Sequence, residues 1–227
     1  MSTNSLTPEL IAYLKSVDSP TLANAIEPFD VRDRTDGFIG GRIVCQFPEL
    51  EFMVGRALTV TMSNAPGEVA GRDGYWRMWD ALAAMDGPVV LAVQDVSGAP
   101  HRVAFAGEIM STLAQKLGAV GMVTDGAFRD VAEVRALGFH YFMKYPVVSH
   151  SNFWIESVGE PIELDGQRVV TGDILHGDAN GIVIVPEAVL AGIGDAVIKV
   201  RSSEQATMDY IRSADFDYAE FKIRAGY

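Results

Sequence analysis

The residues of this chain best suited to chemistry lie between positions 107 and 133, GEIMSTLAQKLGAVGMVTDGAFRDVAE. Gly107 and Glu108 lead into an amphipathic pattern in which Ile109, Met110, Leu113 and Leu117 recur at helical spacing. The first backbone N–H groups of a helix have no internal partner, and its dipole makes that end a site for an anion. A glycine there lets a ligand come close to the backbone. A buried-strand pattern follows, Ala119 to Thr124, then the turn Asp125-Gly126-Ala127-Phe128, then Arg129 and Asp130 at the start of another short helix. Arg129 offers a planar fork that grips a carboxylate at two points. Asp130 is a hard oxygen ligand suited to Mg²⁺ or Mn²⁺, which keep several waters. Glu108 is placed to give or take a proton through such a water. The same residues also fit plainer roles: Arg129 and Asp130 as a surface ion pair or helix cap, and Glu108 as a first-turn carboxylate favoured by the dipole.

The surrounding pattern supplies the elements that must hold these groups. Strands are expected at Arg42 to Phe47, Ala57 to Met62, Pro88 to Val93, Ala119 to Thr124, His140 to Met143, Arg168 to Val170 and Ile182 to Val185. Helical periodicity marks Thr7 to Val17, with Thr7-Pro8 as cap and first position. It also marks Gly74 to Met85, Ile109 to Leu117, and Pro186 to about Ser213. Alternating strands and helices argue for an α/β domain, whose sites form where strand ends feed helix starts. Between His150 and Pro186 the turn pairs Asp165-Gly166, Gly172-Asp173 and Asn180-Gly181 predict antiparallel strands, so the sheet should be mixed or curled.

Composition excludes several classes. The chain has 227 residues, with 18 Lys+Arg against 30 Asp+Glu and a formal charge of −12. That balance argues against nucleic-acid backbones and anionic membrane surfaces, both of which are bound through Lys and Arg. The one cysteine, Cys45, rules out an internal disulfide framework and a cysteine-built zinc site, and within a strand it should simply pack. The N-terminus lacks the basic and apolar regions of a secretory signal, and no apolar run is long enough to span a membrane, so a cytoplasmic protein is expected. There is no dinucleotide fingerprint, P-loop or nucleophile elbow, and His101, His140, His150 and His176 make no zinc-binding pair.

The spacing Gly107-Glu108, twenty residues, Arg129-Asp130, two residues, Glu133 resembles the signature of one family. That family holds the 4-hydroxy-4-methyl-2-oxoglutarate and 4-carboxy-4-hydroxy-2-oxoadipate aldolases together with the regulator of ribonuclease activity A. The run Asp125-Gly-Ala-Phe-Arg-Asp130 is the most specific piece. Ser19 to Ala25, Gly55 to Val60 and Gly172 to Pro186 agree as well, so the likeness spans roughly residues 19 to 190. It implies a single domain over residues 1–227: an α/β/α sandwich around a β-barrel-like mixed sheet, related to swivelling phosphohistidine domains. It implies homotrimers or hexamers, with the C-terminal segment, about 187–227, at the subunit interface.

The activity so implied is that of a class II pyruvate aldolase, in which Mg²⁺ or Mn²⁺ stabilises the pyruvate enolate, with oxaloacetate decarboxylation alongside. Carried over by position, Asp130 is the metal ligand and Arg129 binds the carboxylate or carbonyl oxygen of a small 2-oxo acid. Gly107, Glu108 and the Ile109 and Met110 amides cradle the pyruvyl carboxylate, and Glu108 orients the proton-donating water. Asn64 faces the pocket or closes a turn, and Glu204 stands for the acid donated by a neighbouring subunit. The chain departs from the pattern at Glu108, where the aldolases carry Asp, and at Asn24, where many relatives have an acid. It departs again in the stretch Ala65 to Trp79, with Arg72, Trp76, Arg77 and Trp79. The alternative the resemblance leaves open is a non-enzymatic regulator that masks a basic, RNA-degrading partner with an acidic surface.

Overall fold

The computed structural model describes residues 6–65, 67, 71–150 and 152–224. Parts of the 65–79 stretch and of both termini therefore lie outside the described residues. The helices are α1 (Pro8–Leu14), α2 (Ser19–Ile26), α3 (Asp73–Ala83), α4 (Glu108–Lys116), α5 (Val131–Ala136), α6 (Ile193–Arg212) and α7 (Tyr218–Arg224). The first strands are β1 (Phe38–Ile39), β2 (Val44–Cys45), β3 (Met53–Asn64), β4 (Val89–Asp95), β5 (Ala104–Ala106), β6 (Ala119–Thr124) and β7 (Ala127–Phe128). The rest are β8 (His140–Met143), β9 (Tyr145–Pro146), β10 (Phe153–Val158), β11 (Ile162–Leu164), β12 (Gln167–Val169), β13 (Ile174–Asp178) and β14 (Gly181–Val185).

Nine strands form one mixed sheet ordered β1-β14-β13-β3-β4-β6-β8-β2, with β10 also paired to β3. The run β3-β4-β6-β8 is parallel, and β13, β14, β1, β10 and β2 join antiparallel. The twelve-residue β3 is the pivot: its first residues pair with β13, its last with β10, and its middle with β4. Alternation along each strand divides the core. On β4, Val89, Leu91 and Val93 pack under α3, α4 and α5 with Met78, Leu82, Ala114 and Val134, whereas Val90 and Ala92 face the other way. There they meet Phe142, Leu175, Ile182, Ile184, Leu164 and Val169, so the sheet curls around an apolar interior. The opposite faces of β13 and β14, through Ile174, Val183 and Val185, pack against α1, α2 and α6. This is the expected helix–sheet–helix layering with a curled mixed sheet, but the strand path is open, ending at β1 and β2 rather than closing into a barrel.

Local chemistry accounts for the boundaries that differ from expectation. The strand predicted over Arg42 to Phe47 shrinks to Val44–Cys45 because Pro48 ends it and a turn, Ile43 N–H to the Gly40 carbonyl at 3.1 Å, precedes it. The helix predicted from Pro186 breaks into a short turn at Glu187–Val189 and then α6. Gly192 stands between them, so close to the Phe29 ring that a β-carbon would sit 3.0 Å from it. Helix α2 was not apparent, although Asp18 caps it by accepting from the Thr21 N–H at 2.9 Å. Trp79 is buried in the core, whereas Trp76 is exposed. Among the described residues no helix is long and apolar enough to cross a membrane.

Candidate active site

The central parallel strands β4, β6 and β8 are each followed by a short strand, and these three, β5, β7 and β9, pair parallel to one another as a second small sheet. The Arg129 N–H donates to the Ala106 carbonyl at 2.9 Å, and the Val147 N–H to the Phe128 carbonyl at 3.0 Å. This locks the C-terminal ends of β5 and β7 side by side. Helix α4 starts at the end of β5, and Arg129 and Asp130 stand at the end of β7. Two chain segments 22 residues apart thus meet at strand ends, the usual place for a site in an α/β fold.

The meeting is tight. Gly107 is the N-cap of α4, and a β-carbon on it would stand 2.9 Å from Arg129 Nε and nearer still to Asp130 Oδ2. Asp130 adopts the left-handed region, φ 56°, which Asp tolerates better than most residues. That conformation turns its carboxylate back toward α4, where Oδ2 accepts from the Glu108 N–H at 2.9 Å and lies 3.6 Å from Arg129 Nε. The Ser111 N–H is the first in α4 to find its carbonyl, that of Gly107 at 3.0 Å. The Ile109 and Met110 N–H groups, in the first turn, have no carbonyl partner within the helix. Below this layer, Phe128 stacks on Tyr141 at 4.3 Å, and the Tyr141 hydroxyl bonds Ser111 at 2.6 Å. Burial pushes the Tyr141 phenol up, so it stays neutral and structural.

Arg129, Asp130 and Gly107 to Met110 line one cleft of about 680 Å³, together with Ala104 to Ala106. Its remaining lining comes from the approach to α3 (Gly71, Arg72, Tyr75) and the approach to β10 (His150, Asn152, Phe153). Arg129 and Asp130 are both about one-third exposed, at 34% and 36%, so each is accessible yet anchored. Glu108 and Ile109 are exposed at the rim. Behind the site, the Asp125 carboxylate accepts from the Asp95 N–H at 2.8 Å and joins the ends of β6 and β4. Burial drives its carboxyl up to about 6, against the opposing pull of that N–H and of Lys144.

The structure brings together Gly107, Glu108, Ile109, Met110, Arg129 and Asp130. Asn64 is not part of the cleft lining; it ends β3 opposite Phe153, which is, and its Nδ2 is enclosed without a partner. Glu204 lies on α6, where it accepts from Asn24 Nδ2 at 3.2 Å, and it does not line this cleft. Arg72 stood out only as part of the atypical 65–79 stretch, Tyr75 lay within the predicted helix Gly74 to Met85, and His150, Asn152 and Phe153 come from a turn-rich segment, so none was expected to line the cleft. Asp173 and Asp178 serve turns: Asp173 accepts from the Val170 N–H at 2.9 Å, and Asp178 from Ser19 and Asn180 at 2.7 Å.

Among the described residues, no three His, Cys, Asp or Glu side chains converge as an all-protein metal cage. The cleft instead offers two carboxylates, Asp130 and Glu108. That suits Mg²⁺ or Mn²⁺, which take one or two carboxylates and fill their remaining positions with substrate and water.

The site so built belongs to a mixed α/β domain that sets an arginine and the first-turn amides of a helix beside two carboxylates at its strand ends. The family profile described as RraA-like, aldolase/RraA, matches residues 19–184, and the chain belongs to that family. A Halalkalibacterium halodurans protein provisionally named 4-hydroxy-4-methyl-2-oxoglutarate aldolase is 30% identical over 159 residues, 70% of this chain and 71% of that one. Among solved structures, RraAS2 of Streptomyces coelicolor, described as an unusual member of the RNase ES inhibitor family, superposes with a TM-score of 0.72 at 20% identity. The match covers 89% of this chain and 98% of that one. A structure described as a novel cellulase from gut-associated microbes gives 0.74 at 20% identity, over 87% and 86% of the two chains. At such identities the likeness concerns the fold, which hosts several functions.

Proposed function

We propose that this chain is a divalent-metal-dependent lyase that splits a 4-hydroxy-2-oxo acid, such as 4-hydroxy-4-methyl-2-oxoglutarate, and releases pyruvate. The observation that carries this reading is the convergence of Arg129, the free Ile109 and Met110 amides and the Asp130 carboxylate on one cleft. Arg129 and the two amides hold the 2-oxo carboxylate, a cradle that supplies positive charge in an acidic chain. Asp130, with Glu108, would hold Mg²⁺ or Mn²⁺, which when bound supplies Lewis-acid stabilisation of negative charge on the 2-oxo oxygen. Passage of the C4 hydroxyl proton to the water held by Glu108, with cleavage of C3–C4, leaves a carbonyl on one fragment and the enolate of pyruvate on the other. Glu108, exposed at the rim, holds a water there, from which C3 takes its proton. Oxaloacetate decarboxylation passes through the same enolate and is an expected side activity.

The test is pyruvate release, coupled to NADH oxidation by lactate dehydrogenase, with Mg²⁺ or Mn²⁺ present. EDTA should abolish it, and Arg129→Ala and Asp130→Asn should each lower kcat/KM by about 10²-fold or more. Activity that survives both EDTA and Arg129→Ala would overturn the proposal. The competing reading, a regulator of an RNA-degrading enzyme, draws on the −12 charge and on the RNase-inhibitor structural relative. Salt-sensitive binding to a basic ribonuclease, without metal affinity, would favour it instead. Assembly into trimers or hexamers is part of the proposal: the outer half of α6 and α7 expose Met208, Ile211, Tyr218 and Ile223, which a neighbouring subunit would cover. Sedimentation velocity reads this directly.

A further inference from the structure

The cleft is much larger than the pyruvyl half of a substrate needs, and its second wall carries a cation of its own. Arg72 stands as the N-cap residue of α3 and lines the same cleft as the α4 cradle, as do Tyr75, Asn152 and Phe153. Its position is set by the scaffold. Gly74, in the first turn of α3, packs so closely on β10 that a β-carbon would stand 2.9 Å from Ile155 Cβ and nearer still to the Ile155 carbonyl. Phe153, the first residue of β10, packs on Phe105 of β5 at 5.4 Å, which ties this wall to the strand leading into Gly107.

The two arginines of the cleft differ in their partners. Arg129 already lies beside Asp130. No carboxylate among the described residues pairs with Arg72. A guanidinium facing a cleft of about 680 Å³ in a chain of formal charge −12 is matched to an anion that arrives with the ligand. Tyr75 and Phe153 add aromatic surface to the same lining, and Asn152 adds an amide that can donate.

We infer that Arg72 is the specificity-determining anchor for a second carboxylate, at the end of the substrate remote from the 2-oxo group. This rests on the proposed reading of the Arg129 cradle and assigns the far carboxylate of its dicarboxylic substrate to a distal subsite formed by Arg72 and Asn152. Neither residue touches the bond that breaks, so their effect falls on binding and on the choice between substrates, not on the chemical step. A site built to hydrogen-bond a group rejects the analogue that lacks it far better than an apolar pocket rejects an added group.

The experiment compares two acids of equal length that the enzyme cannot cleave as aldols: 2-oxoglutarate, with a distal carboxylate, and 2-oxopentanoate, with a methyl there. Their Kd values are measured by titration calorimetry in the presence of Mg²⁺, on the full chain and on Arg72→Gln and Arg129→Gln. The wild type should bind 2-oxoglutarate about 10-fold or more tighter, the size of one charge-assisted pair. Arg72→Gln should bring the ratio close to one and leave 2-oxopentanoate unchanged; Arg129→Gln should weaken both acids. A ratio that persists in Arg72→Gln, or an equal loss for both acids there, overturns the distal subsite. So does wild-type binding of both acids through Arg129 without preference. If the wild type binds neither acid, or if Arg129→Gln binds both normally, the cradle reading itself falls.

Discussion

Gly107 shows what the site demands of single residues. Its backbone is extended, φ −140°, so glycine is required there for space and not for a special dihedral. Any β-carbon would push against the Asp130 carboxylate and Arg129 Nε, and Asp130 has too short a side chain to yield without releasing the Glu108 N–H. Gly107→Ala should therefore keep the fold, with a Tm lower by a few degrees for the loss of one charge-assisted hydrogen bond. On the proposed function it should lower kcat/KM for pyruvate release by about 10-fold or more, because the carboxylate proposed to hold the metal is displaced. Circular dichroism and the coupled assay separate the two effects. At this scale the sequence was informative about position: it singled out Gly107, Arg129 and Asp130, and the fold brings the three together. The sequence marked Arg72 only as part of a stretch that departs from the family pattern and was silent on Asn152; that both line the cleft appears only in the fold.

At the scale of elements, the small parallel sheet β5-β7-β9 is what turns two distant segments into a site, and it was the least legible part. Its strands are two or three residues long, too short for any period to appear. The long parallel strands β4, β6 and β8 stood out because both of their faces are buried, which leaves continuous apolar runs. Asp165-Gly166 was legible too: both residues have positive φ, 51° and 88°, as a two-residue hairpin turn between β11 and β12 requires. The Asp165 side chain, 4% exposed, also holds Arg42 at 2.6 Å and Lys144 at 3.3 Å. Asp165→Ala should thus cost about 3–5 kcal/mol in urea unfolding, since it strands the half-buried Lys144 and loses the residue suited to the turn.

Asp125 gives the element-scale prediction for pH. Its folded carboxyl titrates near 6, against an ordinary value of 3.8, chiefly because of burial. Between those values the folded chain holds a proton that the unfolded chain has lost. Stability from this group therefore falls as pH rises from about 4 to about 6, and stays low above that. Asn at this position keeps the oxygen that accepts the Asp95 N–H and removes the charge. Asp125→Asn should be more stable than wild type at pH 7.5 by about 1–3 kcal/mol and should lose that advantage near pH 4. Urea midpoints at the two pH values decide it; a constant difference would mean that Asp125 titrates normally.

Over the whole molecule, two buried histidines tie the helical layer and a loop to the sheet, and nothing in their sequence context marked them out. His176 on β13 is fully enclosed and its Nε2 lies 3.1 Å from the Leu14 carbonyl at the end of α1. His140, at the start of β8, places Nε2 2.7 Å from the Glu51 carbonyl. Each carbonyl needs a donor, so each ring is neutral with its proton on Nε2, and each Nδ1 is enclosed without a partner. Burial holds both imidazoles below their ordinary pKa of 6.5. As pH falls through about 6.5, the unfolded chain takes up protons that the folded chain refuses, so stability is lost toward acid. The effect opposes that of Asp125, but two groups act against one, and their window opens at higher pH. The wild type should therefore lose stability between pH 6.5 and 5, with ΔG rising with pH in that interval. His176→Asn retains an N–H donor but no titrating ring; whatever it costs in absolute stability, it should reduce that slope by about one proton. An unaltered slope would show that His176 accepts its proton inside the folded protein.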